Sequence, residues 1–232
     1  MALRDWVRLP TEWIEVHGLK ALTWGGADGE GSNNTAALMA LMAIAHHAED
    51  ETGIARLTYD AICFITGLSR AKLSKGLDVL RDLSVIDRAP SGRSTFALKD
   101  YDRTSGWGKL PAKKLYSFDQ ISAFKDFHLR SSAELIALKL YFLFVARRGN
   151  DTNMANISFT KIEEYTGLER HRIKTGLTVL GVTGLVHVER APSSVNEYGI
   201  ANAYRLVGLD SYNHMGTRGR AMEARDFEFE SE

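Results

Sequence analysis

Apolar residues recur along the chain in two long blocks, "NTAALMALMAIAHHAED" (34 to 50) and "SSAELIALKLYFLFVARR" (131 to 148), and both predict long helices. The Gly-rich stretch "GGADGEGSNN" precedes the first as a loop, and the serine pair Ser131 and Ser132 supplies a cap for the second. A shorter helix follows each block, at about 58 to 65 and 158 to 165, with Thr58 and Ser158 as caps. Next comes "TGL", a tight turn in which Gly67 or Gly167 can take positive φ without steric cost. A third helix starts at about 69 and again at 169. On its apolar side stand Leu73, Leu77 and Leu80 in the first case, and Ile173, Leu177 and Leu180 in the second. Gly76 and Gly176 lie beside those leucines; a glycine inside a helix costs about 1 kcal/mol relative to alanine, so its recurrence predicts close packing against another helix. Short β-patterned segments joined by polar turns complete each series: "SVIDRAP" with "STFALKD", and "LVHVERAP" with "NAYRLVGL".

The two series are one sentence written twice. "TGLSRAKLSKGLDVL" (66 to 80) returns as "TGLERHRIKTGLTVL" (166 to 180), and "RAPS" recurs at 88 to 91 and 190 to 193. Upstream, "LP" recurs at 9 to 10 and 110 to 111, and "AALMAL" (36 to 41) is matched to "AELIAL" (133 to 138). A duplicated unit of about 100 residues is expected, with domains at 1 to 103 and 104 to 211 and an acidic tail at 212 to 232.

Helix, helix, turn, helix and hairpin is the winged-helix order, and "LTYDAICFITGLSRAKLSKGLDVLRDLSVIDR" resembles the helix-turn-helix of winged-helix DNA-binding proteins. Two such units in tandem resemble the replication initiator (Rep) proteins of plasmids. The expected fold is therefore α+β, mainly helical, with two tandem winged helix-turn-helix domains. The resemblance implies sequence-specific binding of double-stranded DNA, with the third helix of each unit in a major groove and the wing at sugar-phosphate. The residues carried over to that role are Ser69, Arg70, Lys72 and Lys75 with wing residues Arg88 and Arg93, and Arg170, His171, Arg172, Lys174 and Thr175 with wing residue Arg190. Wing positions Lys99 and Asn196 are further candidates. Asp78 and Asp82 stand among the cations of the first helix, so the second copy is the better expected reader of bases. An initiator would recruit host replication proteins at an origin; a regulator would sit near a promoter as a homodimer; a scaffold would bind protein and no DNA.

Charge sharpens these alternatives. The chain of 232 residues has 29 Lys and Arg against 29 Asp and Glu, and a neutral total favours the scaffold. The tail "EARDFEFESE" holds five acids and one arginine, however, so the remainder carries a surplus of four positive charges. The alternating aromatics and acids of that tail are read as a solvated end before a partner-binding peptide. One cysteine, Cys63, leaves no disulfide framework or cysteine metal site and fits a reducing cytoplasm. The apolar runs fall short of a bilayer span, and the N-terminus has no signal-peptide pattern. His46 and His47 point about 100° apart on a helix and are read as a polar helix end rather than metal ligands. "GGADGEGSNN" lacks the Gly-Lys-Ser/Thr ending of a phosphate-binding loop. Neither a catalytic constellation nor a cofactor is expected.

Overall fold

The computed structural model describes residues 3–26, 29–88, 92, 94–150, 152–192 and 200–209. The fold is α+β and mainly helical, with seven α-helices and small two- and three-stranded sheets among the described residues. An arm opens the chain: strand β1 (Trp6–Pro10), the single-turn helix α1 (Glu12–Glu15) and a 3₁₀ turn at Gly18–Ala21. Helix α2 (Glu30–His47), strand β2 (Ile54–Arg56), helices α3 (Tyr59–Thr66) and α4 (Arg70–Asp82) and strands β3 (Ile86–Arg88) and β4 (Thr95–Leu98) follow. A second arm holds β5 (Trp107–Pro111), a 3₁₀ turn at Lys113–Leu115, the short hairpin β6 (Tyr116–Ser117) and β7 (Gln120–Ile121), and a 3₁₀ turn at Ser122–Asp126. The series then repeats as α5 (Ser132–Ala146), β8 (Met154–Asn156), α6 (Phe159–Thr166), α7 (Arg170–Val182), β9 (Val186–Pro192) and β10 (Ile200–Leu206).

Local chemistry sets the repeated boundaries. Thr58 and Ser158 accept hydrogen bonds from the backbone N–H of Ala61 (3.1 Å) and Lys161 (3.2 Å), and Ser131 accepts one from Ala133 (3.2 Å). Thr66 and Thr166 donate their hydroxyls to Ile62 O and Ile162 O and accept from the N–H of Leu68 and Leu168, which locks the turn into the next helix. Gly67 and Gly167 end α3 and α6 at φ 75° and 67°, where a side chain would be strained. Both hairpins expected of the C-terminal part of each unit form, and each gains a third strand that periodicity did not reveal, giving the orders β2-β4-β3 and β8-β10-β9.

α2 and α5 are buried almost all round, so neither has a polar face for periodicity to find. Each receives the third helix of its own half at a glycine. An ideal Cβ on Gly76 would lie 2.8 Å from Ala36 C and Ala37 N, and one on Gly176 would lie 2.6 Å from Ile136 Cγ2 and 3.3 Å from Ala137 N. The halves therefore correspond at an offset of 100, and "AALMAL" matches 136 to 141, not "AELIAL" at 133 to 138. Helices rich in alanine and leucine resemble themselves when slipped by about one turn, which produced the displaced match. α2 also begins earlier than expected, at Glu30, because Gly31 packs under Trp24; an ideal Cβ there would sit 2.5 Å from that ring.

The arms cross between the halves. β1 and β5, "WVRLP" and "WGKLP", pair antiparallel with Trp6 opposite Pro111, Arg8 opposite Lys109 and Pro10 opposite Trp107, so equivalent segments meet about an approximate two-fold axis. Trp6 stacks on Trp107 at 5.8 Å, and Arg8 lies over the Trp107 ring at 4.9 Å. From the first arm, Trp13 packs on Phe142 of α5 and His17 stacks on Tyr165 of α6. From the second arm, Gln120 donates to Phe64 O of α3 at 2.9 Å. His46, expected at a polar helix end, is instead 3% exposed and bonded to this arm: its Nε2–H donates to Pro111 O (2.8 Å) and its Nδ1 accepts from Tyr116 OH (3.0 Å). Burial, with the neighbouring His47 adding and the Pro111 carbonyl opposing, pushes this imidazole down to about 3, so it is neutral. The buried apolar residues of both halves form one continuous cluster.

Candidate nucleic-acid interface

α4 and α7 occupy equivalent places, each with its apolar side against the long helix of its half and its other side in solvent. Their charges differ. On α4, Arg70 Nε and Nη2 both donate to Asp60 Oδ1, at 2.9 and 2.5 Å. Arg81 pairs with Asp82 (2.8 Å) and Asp78 (3.2 Å). Arg88, at the end of β3, reaches Asp78 at 2.7 Å and also donates to Tyr59 OH. Lys99 pairs with Asp87 at 3.1 Å. Lys72 turns back to the start of α2, where Nζ donates to Ser32 Oγ (2.5 Å) and Asn33 Oδ1 (2.9 Å). Ser69 spends its hydroxyl oxygen as the cap of α4, accepting from Lys72 N at 3.3 Å. Lys75 alone of the α4 candidates is an exposed cation with no ion-pair partner among the described residues.

On α7 the arginines and the lysine have no ion-pair partner among the described residues. Arg170 is exposed and its guanidinium lies 5.2 Å from the centre of the Phe159 ring, which orients it without neutralising it. Arg172 is half-buried and Lys174 exposed, and neither has an ion-pair partner among the described residues. Thr175 is exposed beside them, and His171 lies 3.3 Å from Glu169 with both side chains about three-quarters in water. Arg190, on β9, is exposed and likewise unpaired among the described residues. Arg93, Asn196 and the acidic tail fall outside the described residues.

The cause of the difference lies in three positions. Asp60, Asp78 and Asp82 of the first half correspond to Thr160, Thr178 and Val182 of the second. Pairing between Arg70 and Asp60 joins two helices across ten residues, a distance at which helical periodicity carries no information. Two further residues escaped sequence reasoning: Phe159, which orients Arg170, and Lys139, whose place as a lone charge inside "LIALKLYFLFVA" is the signal that could have found it.

No group of three metal-ligating side chains occurs among the described residues, and no described helix is long and apolar enough to cross a membrane. Compared with protein-family models, curated proteins and solved structures, the chain matches none.

Proposed function

We propose that the halves are tandem winged helix-turn-helix units that bind double-stranded DNA sequence-specifically, with α7 as the principal reader and α4 as the weaker one. The observation that carries this reading is the set of cations on the leading turns of α7 that have no ion-pair partner among the described residues: Arg170, Arg172 and Lys174. Arginine can grip guanine O6 and N7 with two donors, and lysine can take a phosphate. The order of elements in each half, helix, strand, helix, helix and hairpin, supports the winged-helix assignment. The approximate two-fold axis between β1 and β5 supports two half-sites in opposite orientation, unequal in sequence because the two helices differ.

The tandem arrangement supports a role in replication initiation for a plasmid or phage, with host replication proteins as partners, over promoter control. A second reading concerns the first half alone: Arg70, Arg81, Arg88 and Lys99 are already paired with Asp60, Asp78, Asp82 and Asp87, which suits a surface that meets protein.

Selection of bound fragments followed by footprinting tests the proposal. Two protected half-sites, about one helical turn apart or a multiple of that, are expected. Arg170→Ala or Arg172→Ala should each cost about 1 to 3 kcal/mol and relax the preference at one base position. Intact binding in both variants overturns the assignment of α7.

A further inference from the structure

α5 carries a lysine where its counterpart carries methionine. Lys139, equivalent to Met39, is 4% exposed in a helix of apolar neighbours. Of its three N–H donors one goes to Leu22 O of the first arm, at 2.9 Å, and the others find no acceptor among the described residues. Burying an ammonium without a counter-ion is costly. The group responds accordingly: desolvation pushes it down to about 8, and the positive charge of Arg172 adds to the effect. Lys139 therefore faces a second cation where an anion is wanted.

A cavity of about 150 Å³ opens over these two side chains, between the first arm and the second half. Lys20 and Trp24 of the arm form one wall, and the turn at Gly167 another. Among the described residues three cations line it and no aspartate or glutamate does. The first half shows how such a position is satisfied internally. There Lys72, equivalent to Arg172, donates to Ser32 and Asn33, whereas the counterpart of Asn33 is Ala133, which offers no side-chain acceptor.

We propose that this cavity binds a small phosphate-class oxyanion, held by Lys139, Arg172 and Lys20. At a liquid-water volume of about 30 Å³, the space equals about five waters, which suits phosphate or a small organic phosphate. Charge-assisted hydrogen bonds from a buried ammonium and a guanidinium to one oxyanion are among the strong ones. A duplex phosphate, tied to sugars on both sides, cannot follow Lys139 into the interior, so the ligand is a free anion. The site stands whether or not α7 meets DNA.

Inorganic phosphate titrated into the full chain, in phosphate-free buffer at fixed ionic strength, tests this through tryptophan fluorescence and the shift in Tm. Saturable binding that chloride does not reproduce is expected. Lys139→Met, which installs the residue of the first half, should weaken it about tenfold or more, and so should the partly exposed Arg172→Gln. The Arg172 variant keeps the test alive if the Lys139 variant fails to melt cooperatively. In phosphate-free buffer Lys139→Met should retain the duplex affinity of the wild type, which separates this site from the DNA reading. Wild-type protein that does not saturate, or Lys139→Met and Arg172→Gln variants that bind phosphate as the wild type does, overturns the site. Loss of duplex affinity in Lys139→Met without any phosphate binding by the wild type also overturns it, by giving the lysine to DNA.

Discussion

Freeing Arg70 from Asp60 should turn the first half into a stronger DNA contact. Five exposed or half-exposed cations stand without an ion-pair partner among the described residues at the proposed interface: Lys75, Arg170, Arg172, Lys174 and Arg190. If each neutralises one phosphate, log K falls against log salt with a slope of about −4.5, at about −0.9 per contact. Between 50 and 200 mM salt the affinity then drops about 500-fold. Arg70 adds nothing to this slope while Asp60 holds two of its donors. Asp60→Asn should steepen the slope to about −5.4 and raise affinity at low salt. Removing an acid also lowers general repulsion, so the decisive comparison is a cycle: Arg70→Ala should cost more binding in the Asp60→Asn background than in the wild type. Fluorescence anisotropy with a labelled duplex at four or five salt concentrations reads all four proteins. An unchanged slope in Asp60→Asn, or an equal cost of Arg70→Ala in both backgrounds, would refute the reasoning.

Two further expectations concern the scaffold. Gly76→Ala should lower stability by about 1 to 2 kcal/mol despite the better helix propensity of alanine, because the new methyl meets backbone atoms of Ala36 and Ala37 that cannot turn aside. Gly176→Ala meets side-chain atoms first, Ile136 Cγ2 at 2.6 Å and Leu140 Cδ1 at 2.8 Å, with backbone Ala137 N farther off at 3.3 Å; the branched Ile136 is stiff but Leu140 can turn, so urea midpoints should separate the two variants, with Gly176→Ala closer to the wild type. His46 is held down to about 3 against an ordinary 6.5, so the unfolded chain takes up a proton that the folded one refuses. Stability present above pH 6.5 should therefore fall on acidification by up to about 1.4 kcal/mol per pH unit toward pH 3, and a His46→Gln variant should show a shallower fall in the same urea melts.

What the sequence revealed and what it hid divide along the range of the interactions. The turns at Gly67 and Gly167, the caps Thr58, Ser158 and Ser131, and the hairpins are settled within a few residues, and all were legible. Gly76 and Gly176 were informative because a glycine in a helix interior is itself a local anomaly, although its partners at Ala36 and Ile136 were not visible. The exchange of arms was hidden: β1 and β5 are held together by pairing across about 100 residues, and only the repeated "LP" steps hinted at equivalence. The burial of His46 was hidden for a related reason. A helix covered on all sides has no polar face, so one polar residue near its end reads as solvent-facing until the covering arm is known. At the interface, cations could be counted but their pairing could not, since Asp60 and Arg70 lie on different helices.

Duplication and divergence together account for the asymmetry of the proposed interface. The scaffold positions are kept across the offset of 100: Thr66 and Thr166 in the turn, Gly67 and Gly167 after it, Gly76 and Gly176 at the helix contact. The solvent positions are not. Asp60, Asp78 and Asp82 give way to Thr160, Thr178 and Val182, and Tyr59, which accepts from Arg88, gives way to Phe159, which lies under Arg170. All of these positions are exposed or half-buried, so the exchanges spare the buried core while removing the internal partners of the second set of cations. A pair of identical heads about a two-fold axis would read a palindrome. Heads of the same shape but unequal free charge would read an asymmetric site and place the chain in one direction on it, which a symmetric dimer cannot do.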